Sequence, residues 1–130
     1  MRLIGHGIDL VEVDRIERML AEHGGRMLER LFTKAEQDEC NSDVRRACRF
    51  AARFAAKEAA LKALCTGLSG GIQWTDVSVA NDANGAPKLV LAGKALAIAN
   101  DLGVTQWVVS LSHTRTHAIA SVIAFADTQP

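Results

Sequence analysis

The sequence predicts one small domain of mixed class, with helices alongside antiparallel hairpins. An alanine-rich stretch between Ser42 and Cys65 has helical periodicity. Further on, pairs of short apolar runs flank polar turns. At 130 residues and 48% hydrophobic content, the chain can bury one core, so residues 1–130 form a single domain.

Leu3 to Val11 is short, apolar and punctuated by glycine, and reads as a strand that carries Asp9 to its end. Ile16, Met19 and Leu20 fall at helical spacing, and Gly24 and Gly25 stop that helix. Thr33 followed by Glu36 is a capping-box pattern that starts a short helix after Leu31 and Phe32. Ser42 and Asp43 are placed to cap the long helix, and Thr66 and Gly67 to close it. Along it Phe50, Phe54 and Leu61 share a face, while six alanines between Ala52 and Ala63 line much of the remainder. Side chains that small let neighbouring backbone approach closely, so the helix is expected to pack on more than one side.

The alternation of Val77 and Val79 predicts a strand from Trp74 to Ala80, and Asn84-Gly85 turns it into a second over Lys88 to Ala92. A weak helical pattern follows from Gly93 to Leu102, ended by Gly103. Two apolar strands, Gln106 to Ser112 and Ala118 to Phe125, then flank a polar tip running from His113 to His117. Strands this apolar call for cover on both faces, from helices or from another subunit.

Fifteen basic and fifteen acidic residues cancel, which excludes coating of nucleic acid by charge alone. The charge is uneven locally. Between Arg45 and Lys62, the six residues Arg45, Arg46, Arg49, Arg53, Lys57 and Lys62 face a single acid, Glu58. Such a run is either a solvated helix face or an anion-binding one. No apolar run reaches the roughly 18 to 20 residues of a membrane span, and acids follow the first residues too soon for a secretory signal, so a cytosolic protein is expected. Cys40, Cys48 and Cys65 form neither an even set nor a C-x-x-C pair, which points away from disulfides and zinc.

Asp9 at a strand end and Glu58 in the basic helix are carboxylates from separate elements, the usual means of holding Mg²⁺ when substrate phosphates complete its shell. Each also has a plainer reading. Asp9 can cap the next helix, and Glu58 can form a surface pair with Lys62 four residues on. His113 leaves an apolar strand between Ser112 and Thr114, where it can face a phosphate or solvent. No phosphate-binding glycine loop is present, so any phosphates are held by side chains and a metal.

Two segments resemble the signatures of the holo-acyl-carrier-protein synthases, a family of 4′-phosphopantetheinyl transferases. They are Gly7-Ile8-Asp9-Leu10-Val11-Glu12 and the run from Arg53 through Phe54-Ala55-Ala56-Lys57-Glu58-Ala59 to Lys62-Ala63. Thr66-Gly67, Trp74 to Val77, Asn84 to Pro87 and Ser110 to Thr114 follow as supporting stretches in the same order. The resemblance implies a small α+β fold, a long central helix packed by a small antiparallel sheet, assembled as a trimer with sites near subunit boundaries. It implies transfer of 4′-phosphopantetheine from coenzyme A to a serine of acyl carrier protein, in support of fatty acid biosynthesis. Asp9 and Glu58 then match magnesium ligands, and Asp9, Glu58, Lys62 and His113 the catalytic set. Arg53, Lys57, Lys62, Gly67, His113 and Thr114 correspond to coenzyme A contacts, and Arg15, Arg26 and Arg30 to the face that receives the acidic carrier. His6 departs from the pattern, where an aliphatic residue is commoner. A magnesium phosphohydrolase, or a non-catalytic module binding coenzyme A or carriers, would use much of the same equipment.

Overall fold

The computed structural model describes residues 1–42 and 44–127. In chain order the elements are β1 (Arg2–Glu12), α1 (Val13–His23), α2 (Gly25–Leu31), α3 (Lys34–Asn41) and α4 (Arg46–Ala63). A 3₁₀ turn (Trp74–Asp76), β2 (Val77–Asn81), β3 (Pro87–Leu91), α5 (Gly93–Asp101), β4 (Gln106–His113) and β5 (His117–Ala126) complete the chain. The strands make two antiparallel sheets, one in the order β1-β5-β4 and the other the β2-β3 hairpin.

α4 is the core of the molecule. Phe50, Phe54, Leu61 and its alanines from Ala51 to Ala63 are all buried, so it packs on several sides as its composition predicts. Its closest neighbour is β1, and glycine is what permits the approach. A Cβ on Gly5 would lie 1.9 Å from the Ala63 carbonyl oxygen, and one on Gly7 1.8 Å from that of Ala59. No side chain fits there. The Gly-x-Gly of the first strand therefore seats β1 against the helix and carries Asp9 alongside it.

Several boundaries differ from the sequence reading. The helix that Gly24 and Gly25 were expected to end resumes at once as α2, because Gly24 at φ 54° turns the chain and Gly25 starts a new helix. Thr33 and Glu36 do form a capping box at α3. The long helix begins later than expected, with Arg45 at its N-cap; Ser42 instead donates its hydroxyl to the Glu39 carbonyl, and Asp43 lies outside the described residues. It also ends at Ala63, with Cys65 in the left-handed region at φ 60° and Thr66 N–H reaching back to the Leu61 carbonyl. The expected strand from Trp74 opens as the 3₁₀ turn, since Gln73 and Asp76 close a reciprocal cap around it.

Among the described residues, the β1-β5-β4 sheet is covered on one face. Ala118, Ala120, Val122 and Ala124 of β5 point to α4 and are wholly buried. Within the described chain no helix covers the other face, where Ile8, Leu10, Val108 and Ile119 stand exposed. Of the two kinds of cover the sequence called for, helices supply one face.

Candidate active site

α4 presents charge in two directions. At about 100° per residue, Arg53 and Glu58 differ by about 140° around the axis, and Arg53 and Lys62 by about 180°. The two sides open into two separate cavities with no lining residue in common.

On the first side, the end of β1 meets the last turns of α4. Lys62 donates to the Asp9 carboxylate at 3.2 Å and to the Ile8 carbonyl at 3.0 Å. The Asp9 side chain is 14% exposed and that of Lys62 54%, so the ammonium keeps access to solvent. Burial raises the proton affinity of Glu58, and the Asp9 charge raises it further, against opposition from Arg15 and Lys62. The two carboxylates thus come close enough to repel each other, with Lys62 bonded to one of them.

Glu58 lines a cavity of about 600 Å³ together with Arg15, Arg26, Arg30, Met19, Met27, Phe54 and Trp74. The Arg15 guanidinium stands 5.9 Å from the centre of the Phe54 ring, and that ring packs on Trp74 at 5.0 Å. The wall is apolar and the rim is basic, a combination suited to an amphipathic acidic surface. All three arginines expected to face a carrier thus open on the same cavity as Glu58. Sequence reasoning left out His23, Met27 and Trp74 as parts of this wall. The signal for α2 was present in the four-residue spacing of Arg26 with Arg30 and of Met27 with Leu31, but the double glycine before it read as a stop.

On the opposite side of α4, a cavity of about 310 Å³ is lined by Arg49, Arg53, Asn81, Gly85, Ser110 and His113 among others. Arg53 is only 4% exposed, and its buried Nε has no hydrogen-bond partner among the described residues. Arg49 and Arg53 give this wall two guanidinium groups one helical turn apart, a wall suited to an anion.

The chain matches the 4′-phosphopantetheinyl transferase superfamily over residues 5–122. It is a member of that superfamily. The holo-[acyl-carrier-protein] synthase of Geobacter sulfurreducens is 46% identical over 121 residues, covering 93% of this chain and 96% of that protein. The crystal structure of the Neisseria meningitidis synthase superposes with a TM-score of 0.86 at 31% identity, covering 95% of this chain and 98% of that one. That of Bacillus anthracis, in complex with CoA (3′,5′-ADP), superposes at 0.80 and 31% identity over 98% of this chain and 100% of that one. The α+β fold with a long central helix is the fold of these structures.

Against the residues that the superfamily resemblance singled out, the geometry groups Asp9, Glu58 and Lys62 on one side of α4 and Arg53 and His113 on the other. It removes Lys57 from the surface. Lys57 is 0% exposed and donates to Glu36 Oε1 at 2.7 Å, to the Trp74 carbonyl at 3.2 Å and to the Val77 carbonyl. Burial pulls its proton affinity down while Glu36 opposes the shift. Glu36 in turn accepts from the Thr33 and Val79 N–H groups. The expected coenzyme A contact is therefore a core residue that ties α3, α4, the 3₁₀ turn and β2 together, with no donor left for a ligand. Gly67 and Thr114 line neither of these cavities. Gly67 lies in the loop after α4 at φ 59°, and the Thr114 hydroxyl accepts from the Thr116 and His117 N–H groups to shape the β4–β5 turn.

Proposed function

We propose that this chain is a holo-acyl-carrier-protein synthase, which transfers 4′-phosphopantetheine from coenzyme A to a serine of an apo-acyl-carrier protein and releases adenosine 3′,5′-bisphosphate. The observation that carries the reading is one cavity in which Glu58 meets three arginines and an apolar wall, in a chain whose relatives bear that name. The reading places the enzyme in the cytoplasm, in support of fatty acid biosynthesis.

The residues fit Mg²⁺. Asp9 and Glu58 are hard oxygen donors that repel each other, and no cluster of three or more His, Cys, Asp or Glu among the described residues could hold a metal alone. Two carboxylates, with substrate phosphates to complete the shell, are what this ion ordinarily takes. Bound there, it would supply charge neutralisation at the pyrophosphate. The chain's own groups do the rest. The serine oxygen forms its bond to the phosphorus beside pantetheine, and the bond from that phosphorus to the adenosine bisphosphate oxygen breaks. A carboxylate that holds a cation is a weak base, so Glu58 takes the serine proton by way of a water molecule, and Lys62 opposes the charge that develops on the leaving phosphate. Arg53 and His113 hold nucleotide phosphates, and Arg15, Arg26 and Arg30 dock the acidic carrier.

Because the two charged sides of α4 face apart, a site that needs both takes them from two copies. The uncovered apolar face of the β1-β5-β4 sheet offers the contact, and a closed ring sets one side of α4 against the other side in the next copy. We assign a homotrimer with its sites at the subunit boundaries.

Intact-mass measurement of an apo carrier incubated with coenzyme A, Mg²⁺ and the protein tests the activity. One added phosphopantetheine is expected. Cleaved coenzyme A with an unmodified carrier would instead make the protein a hydrolase, and unchanged coenzyme A a binding module. For the docking face, Arg15→Glu is expected to raise the Michaelis constant for the carrier on the order of tenfold, with the gap narrowing in salt. An unchanged constant would remove Arg15 from the interface.

A further inference from the structure

We propose that Glu39, which lines neither of these cavities and lies outside every signature segment, is a positioning residue for nucleotide binding in the smaller cavity. The inference rests on reading that cavity as the seat of the nucleotide phosphates. Glu39 lies in the last turn of α3, and its Oε1 accepts from Arg49 Nη2 at 3.2 Å and from Asn81 Nδ2 at 3.1 Å. Arg49, on α4, and Asn81, at the end of β2, both line the cavity. One oxygen behind the wall therefore holds two donors of the wall from two different elements.

This arrangement has two effects. Arg49 and Arg53 stand one turn apart on α4, so their like charges repel, and the Glu39 carboxylate offsets part of that repulsion. A long arginine side chain also loses rotamer freedom when it clasps an anion, and one already held by Glu39 loses less. Glu39 takes up one of the five guanidinium N–H groups of Arg49. Its side chain is half exposed, so solvent screens its charge and the hydrogen bonds carry most of the effect.

Both bonds fall on a single oxygen, so glutamine, which keeps one carbonyl oxygen, can retain the positioning without the charge. Glu39→Ala loses both. Adenosine 3′,5′-bisphosphate titrated calorimetrically into the full-length protein, with coenzyme A and carrier kinetics alongside, separates the cases. Glu39→Ala is expected to weaken the bisphosphate and raise the Michaelis constant for coenzyme A by about three- to tenfold, the scale of a modest loss of hydrogen bonding. Turnover, the Michaelis constant for the carrier and Tm should stay at their wild-type values. Glu39→Gln should remain within about twofold of wild type. Wild-type affinity in Glu39→Ala, an equal loss in Glu39→Gln, or a loss that tracks Tm would each overturn the proposal. Arg53→Ala is the parallel arm. If Arg53→Ala weakens the bisphosphate while Glu39→Ala does not, only the role of Glu39 falls. If Arg53→Ala binds as wild type, the cavity is not the nucleotide's seat and both readings fall.

Discussion

Lys57 and Lys62 lie on one helix, about 140° apart around its axis, and the fold treats them in opposite ways. Lys57 is fully buried and has spent its donors on Glu36 and two backbone carbonyls. Lys62 is half exposed, with a carboxylate and one carbonyl for partners. Their local sequence does not distinguish them, since both sit among alanines in one signature. What differs is the element on each side. Lys57 faces α3 and the start of β2, which enclose it, and Lys62 faces the open end of β1. One lysine therefore ties elements of the fold together, and the other keeps its ammonium within reach of solvent.

The largest expected effect breaks the buried member of the pair. Lys57→Met would leave the Glu36 carboxylate buried without its cation and the Trp74 carbonyl without its donor. Removing one partner of a buried ion pair costs about 3–5 kcal/mol, a large share of the roughly 5–15 kcal/mol that holds a domain folded. Denaturant unfolding should show a much lower midpoint or no folded baseline. A wild-type midpoint would mean that the pair adds nothing net to stability. Lys62→Ala should do the reverse. Its unfolding curve is expected to overlay that of the wild type while turnover falls about 10²- to 10³-fold, as when one preorganised electrostatic group is removed from an active site. A change confined to the Michaelis constant for coenzyme A would make Lys62 a binding residue only.

Much of this molecule is legible in the sequence, and the limits have physical causes. The strands, the capping box at Thr33 and the alanine helix follow from local chemistry, and the structure has all of them. The meeting of Asp9 with Lys62 is carried by the two glycines that seat β1 on α4, although the sequence marks those glycines only as a motif. Local patterns could not locate Lys57, because its burial depends on Glu36 and Val77, about twenty residues away on either side. Nor could they show that His113 and Glu58 face apart. That separation follows from the β4-β5 hairpin returning on the far side of α4, a property of topology and not of spacing.

The separation itself can be tested by mixing two damaged enzymes. Lys62→Ala spoils one side of α4 and Arg53→Ala the other. If each site draws its two sides from neighbouring copies, trimers dissociated and reassembled from an equal mixture should recover about a quarter of wild-type activity, from the sites that pair two sound halves. No recovery above the sum of the separate variants would place both halves of each site within one chain.

The smallest effect expected concerns stability at Glu58, and its sign is the informative part. The folded protein raises the proton affinity of Glu58 above that of free glutamate, through burial first and Asp9 second. Such a group favours folding below the ordinary glutamate value, about pH 4.3, and loses that contribution as pH rises through its raised value. At neutral pH the ionised side chain therefore costs stability, although its partial exposure keeps the cost small. Glu58→Gln in chelator should melt slightly above wild type at neutral pH, with the gap closing near pH 4, even though transferase activity is lost. A lower Tm at neutral pH would show that the attraction of Arg15 and Lys62 outweighs burial and the Asp9 charge. Glu58 would then be an ordinary helix-surface pair, and the case for a cation-seeking site beside Asp9 would lose its electrostatic basis.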